Sequence, residues 1–152
     1  TPLTVSMAII EQESSFSARA KPERTKLLGI IPWRRASSAY GYSQALDGTW
    51  NEYKESAGNW GARRSSFSDA MDFVGWYTSN SNRINGIARD DAYNNYLAYH
   101  EGNGGFSQRT YNSKAWLIDV SRKVQANANL YSRQYSQCES DLSRSWFMRL
   151  FV

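Results

Sequence analysis

The chain has 152 residues, enough for one domain with a core of its own, and its 41% hydrophobic and 21% charged residues are the composition of a globular protein. A net charge of +4, spread over separated basic residues such as Arg19, Arg63, Arg83 and Arg122, lacks the dense run of a nucleic-acid arm, so nucleic acid is not an expected partner. One cysteine and one histidine exclude an intrachain disulfide and argue against a Cys/His zinc site; no metal or cofactor is expected, and no stretch of roughly 20 apolar residues offers a membrane span.

Thr1 is placed to cap a helix and Pro2 suits its first position, and the absence of glycine or further proline predicts a helix continuing to Phe16. The opening Thr1-Pro2-Leu3-Thr4 has no basic region followed by an apolar one, so no export signal is legible in it. From Ser17 to Ser38, Pro22, Gly29 and Pro32 break the periodicity, which predicts a long loop with short helical pieces. A compact turn over Ala39–Leu46 and a weakly amphipathic stretch over Thr49–Ala57 follow.

Ser68 and Asp69 read as a helix start, with Phe73, Trp76 and Tyr77 on one face and the polar run Thr78–Asn85 as its end. Ala88–Glu101 predicts another helix with Ala92, Tyr96 and Tyr99 along a face, terminated by Gly102-Asn103-Gly104-Gly105. A last helix is predicted over Ala115–Tyr131, where Trp116, Val120, Val124 and Ala128 form an apolar stripe, before an apolar tail within 139–152 that needs a cover. No alternating strand pattern, repeat or linker is visible, which predicts a mainly α single globular domain over 1–152, with room for a small β-hairpin.

One residue breaks the amphipathic design. On a wheel of about 100° per residue, Val5, Ile9 and Phe16 form one apolar cluster and Leu3, Met7 and Ile10 another, and Glu13 falls between them. A carboxyl in apolar surroundings is held protonated toward neutral pH, as a general acid requires. The same placement also suits a structural Glu bonded to loop backbone or to Arg19.

Three motifs follow in order: Glu13-Ser14-Ser15-Phe16, Gly41-Tyr42-Ser43-Gln44, and Tyr96-Leu97-Ala98-Tyr99-His100-Glu101-Gly102. The series resembles that of the soluble lytic transglycosylase catalytic domain, whose fold is lysozyme-like and whose pattern is Glu-Ser, then Gly-Leu-Met-Gln, then Ala-Tyr-Asn-x-Gly. The resemblance implies cleavage of the MurNAc-GlcNAc β-1,4 bond of peptidoglycan glycan strands without water, giving a 1,6-anhydro end. It implies Glu13 as acid and base, Tyr99 as the hydroxyl that orients it, and Ser14, Tyr42, Ser43, Gln44, Tyr96, His100 and Glu101 as substrate-binding positions. It further implies an exported protein, periplasmic or outer-membrane-associated in a bacterium.

Departures from the pattern accompany the likeness: Tyr42-Ser43 replaces Leu-Met, His100-Glu101 replaces Asn and a small residue, and the Lys21–Ser38 stretch reads as an insertion in the loop. Two other readings stay open at this point. A hydrolytic muramidase would use Glu101 or Asp47 as a second carboxylate to activate water, and a catalytically silent module would keep the groove and bind glycan without cutting it.

Overall fold

The computed structural model describes the backbone of residues 1–22, 24–27, 31–35 and 37–149 and the side chains of 1–22 and 37–139. Five helices make up nearly all of it: α1 Leu3–Ser14, α2 Asp47–Ala57, α3 Phe67–Asn85, α4 Ala92–Ser107 and α5 Ala115–Arg149, with a 3₁₀ turn at Thr110–Ser113. Helix α1 runs through the middle and packs against α3, α4 and α5, which explains why Ala8, Ile9 and Ile10 are completely enclosed. Tyr53, Phe73, Leu97, Leu117 and Val124 close the same core from the other helices.

The start of α1 differs from expectation by one residue. Pro2 is the capping position with extended backbone, and Thr1 caps nothing because its hydroxyl is bonded to Thr78 Oγ1 at 2.5 Å. The helix stops two residues earlier than the composition suggests, because Ser15 (φ 48°) and Phe16 (φ 59°) both enter the left-handed region, with the Ser15 N–H returning to the Glu11 carbonyl. Two successive L-residues there carry a conformational cost, a phenylalanine more than most, and the cost falls directly beside Glu13.

The stretch expected as a loop with helical pieces instead contains a hairpin, β1 Arg24–Leu27 paired antiparallel with β2 Ile31–Arg35 in the register Lys26 to Pro32 and Leu27 to Ile31. Thr25, Ile31 and Trp33 favour extended backbone, and Pro32 is tolerated because a two-stranded ribbon consists only of edges. The pairing depends on two short segments meeting, a relation that helical periodicity does not reveal.

Polar residues failed to mark helix ends for a local reason. In α3 the Thr78 hydroxyl donates to the Val74 carbonyl at 2.8 Å and Ser81 to Tyr77 at 3.1 Å, so these side chains are satisfied within the helix, which continues until Gly86 (φ 68°). The true start of α3 is capped by Ser66, which accepts from the Asp69 N–H. Helix α4 begins at Ala92 under the Asp91 cap, and its backbone leaves the helical region at Gly102 (φ 75°, ψ 156°), the break expected there, before a second helical stretch continues to Ser107. In α5, Val124 and Ala128 are buried as the stripe requires, but Leu117 takes the core position and Trp116 is exposed. The helix is about 50 Å long at 1.5 Å per residue. The side chains of the apolar tail, within 139–152, lie outside the described residues from Ser140 onward.

Candidate active site

Glu13 occupies the last turn of α1, partly covered, with the fully buried Ile9 and Ile10 one turn behind it. Burial pushes its carboxyl up from the usual 4.5 to about 7, and a hydrogen bond donated by the Tyr96 hydroxyl pulls it part of the way back. A group with that pKa is substantially protonated at neutral pH, can give its proton away, and can take one back.

Helix α4 presents two phenols to this region from positions one turn apart. Tyr96, 4% exposed, directs its hydroxyl toward Glu13 and acts on the carboxyl. The Tyr99 hydroxyl donates to the Ser43 carbonyl at 2.6 Å, and a phenol has a single hydrogen to give. Glu13 lies near enough that its charge helps to raise the Tyr99 hydroxyl well above its usual value, after burial has done most of that. Tyr96 thus holds the acid, and Tyr99 pins the neighbouring turn.

That turn is built almost entirely from backbone bonds. Gly41 adopts φ 75°, its N–H donates to the Ala20 carbonyl, and the next N–H donates to the Arg64 carbonyl, which would collide with any Cβ at position 41. Gln44 also has positive φ (49°), and its side-chain NH₂ donates to the Ala20 and Gly41 carbonyls at 3.0 and 2.7 Å. The Gln44 donors are therefore committed to the turn. Ser43 is entirely enclosed, with no partner for its hydroxyl among the described residues. Tyr42 lies edge-on to Phe67, which in turn meets Phe16, forming an aromatic patch at the end of α1. Ser14 bonds back to the Ile10 carbonyl at 3.1 Å.

Between this turn and α4 lies a groove of about 270 Å³. Gln44, Leu46 and Thr49 form one wall, Tyr99 through Gly102 the other, and Phe73 and Tyr77 the floor. The floor residues were legible in the sequence only as a helix face; nothing in the local pattern said that the face opens to a cleft.

The carboxylates considered for activating water are both engaged elsewhere. Glu101 accepts from Lys114 Nζ at 2.7 Å, from His100 Nδ1 at 3.0 Å and from the Thr110 hydroxyl, and these bonds, Lys114 first, hold it down at about 2. A carboxylate that acidic is a poor proton acceptor near neutrality. His100 also stands edge-on to the Trp116 ring, 5.2 Å away, and both His100 and Glu101 line the groove. Asp47 is paired with Arg64 at 2.7 Å and opens into a different cavity, on the far side of the first turn of α2.

The helices form a mainly α domain in which a carboxyl held protonated lies close to Tyr99, one of the residues lining the groove. A model of the transglycosylase SLT domain family matches residues 1–138, and the chain belongs to that family. No curated protein and no solved structure matches the chain. Membership supports a transglycosylase-type function directed at peptidoglycan, and with it a place of action outside the cytoplasm. Among the described residues no helix is long and apolar enough to cross a membrane.

Proposed function

We propose that the chain is a lytic transglycosylase that cleaves the MurNAc-GlcNAc β-1,4 bond of glycan strands and leaves a 1,6-anhydro-muramic end. The observation that carries this reading is Glu13, the carboxyl held at about 7 by burial with Tyr96 as its hydrogen-bond donor. Glu13 protonates the glycosidic oxygen as the bond to C1 breaks, and the substrate's 2-acetamido group stabilises the cationic carbon. The 6-hydroxyl of the same sugar then attacks C1 and gives its proton to the Glu13 carboxylate, so the acid is regenerated and no water is consumed. Tyr99 holds the Ser43 turn against the groove, and Gln44, Tyr42, Ser14, His100 and Glu101 border the path of the glycan. The low value of Glu101 and the pairing of Asp47 count against a muramidase. We further propose that one catalytic domain accounts for the chain and that it works in a bacterial periplasm or at the outer membrane.

Digestion of purified sacculi, with products read by mass spectrometry beside Glu13→Gln, tests the reading. Anhydro ends that disappear in the variant are expected. Reducing ends that depend on Glu13 would make the protein a hydrolase, and binding without products from the folded wild type would make it a silent module.

A further inference from the structure

A second cavity, larger than the groove, is bordered by described residues. It holds about 460 Å³ on the opposite side of the first turn of α2: Leu46 and Thr49 face the groove, while Asp47, Trp50 and Asn51 face this second cavity. Its lining includes three cationic side chains, Lys54, Arg63 and Arg64, against the single carboxylate of Asp47. Arg64 is tied into the wall: it reaches Asp47 at 2.7 Å and the Ala45 and Ser38 carbonyls at 2.8 and 3.1 Å, and its guanidinium lies 5.6 Å from the centre of the Tyr40 ring. Lys54 and Arg63 carry no side-chain hydrogen bond or ion pair among the described residues, although the Arg63 backbone N–H is anchored to Asp69 at 2.9 Å. Arg64 therefore neutralises Asp47 and braces the wall, and two positive charges are left facing the same hollow, with Asn51 and the Tyr40 ring beside them.

Two unspent cations in a concave, mostly polar site match a ligand with more than one carboxylate, because charge-assisted bonds are the strongest a protein makes at such a surface. The site is separated from the groove by only one helical turn, so a branch projecting from a glycan in the groove is within reach of it. We propose that Lys54 and Arg63 form a subsite for the carboxylates of the peptide branches carried by the glycan, so that the protein prefers peptide-bearing strands to bare ones. The inference rests on the reading of the groove as the glycan site, and Lys54 and Arg63 act as specificity residues, remote from the bond that breaks.

The test compares strands carrying their peptides with strands stripped by an amidase, using the wild type and a Lys54→Ala/Arg63→Ala double variant, together with titration of the free acidic peptide by NMR. The expected result is a preference for peptide-bearing strands that falls about tenfold or more in the double variant, as the loss of two charge-assisted bonds implies. Shifts at Lys54 and Arg63 on adding free peptide, absent on adding inorganic phosphate at the same concentration, are expected alongside. An unchanged preference in the double variant would overturn the subsite, as would equal response to phosphate and peptide. If neither strand is cut, the lytic reading fails by itself, and the peptide titration still decides the subsite: shifts confined to Lys54 and Arg63 support it and their absence refutes it.

Discussion

Replacing Glu13 by glutamine should make the protein more stable as the pH rises, while removing its proposed activity. In the fold the carboxyl titrates at about 7 against an ordinary 4.5, so the folded state holds its proton more tightly than the unfolded chain does. The stability tied to that proton is complete below pH 4.5 and is lost as the pH rises through 7. At about 1.36 kcal/mol per pH unit the loss amounts to about 3 kcal/mol, a large share of the 5–15 kcal/mol that holds a typical domain together. Glutamine does not titrate, and its amide oxygen still accepts from Tyr96, so the acceptor in the pair survives. Its NH₂ adds a cost that is constant with pH, which makes the slope the informative quantity. Urea unfolding of both proteins from pH 4 to 8.5 should show the difference moving in favour of the variant by about 3 kcal/mol, almost all of it between pH 4.5 and 7.5. A difference that stays level across that range would mean that Glu13 is ordinarily solvated, and the case for it as a general acid would lose its physical basis.

Tyr96→Phe removes a bond that lowers the Glu13 value, so the alkaline limb of the kcat/KM profile should move above about pH 7; a limb that stays or falls would detach Tyr96 from the acid. Gly41→Ala should cost at least about 2 kcal/mol, because the added carbon meets the Arg64 backbone. Gly58→Ala, at a similar positive φ but in open space, should cost only about 1 kcal/mol, and equal losses in thermal unfolding would refute the close-packed turn. Glu101→Gln should lower stability at neutral pH, and the deficit should shrink as the pH falls from 4.5 toward 2, because the wild-type carboxylate loses its advantage over that range. Its turnover should fall while its products keep anhydro ends; a variant that folds but cuts nothing would return Glu101 to the chemistry.

What the sequence determined by itself was what a single helix or an ordered motif can express. The apolar arcs of α1 put a carboxylate where an amphipathic helix would not have one, and burial of Ile9 and Ile10 behind Glu13 is the tertiary form of that arc. The motif order likewise pointed to the family that residues 1–138 match. Which tyrosine serves the acid was not legible, because Tyr96 and Tyr99 are one turn apart on α4 and only the packing against α1 and the Ser43 turn decides which hydroxyl meets which acceptor. Burial of Ser43 and the closed bonding of Gln44 were hidden for the same reason: the Ala20 and Arg64 carbonyls that complete the turn come from distant positions in the chain. The hairpin over Arg24–Arg35 required two segments to find each other, and the fate of Glu101 required Lys114 to arrive from beyond the kink at Gly102. Periodicity reports the face a residue occupies, and the partner it meets there is set by long-range packing, which no local pattern records.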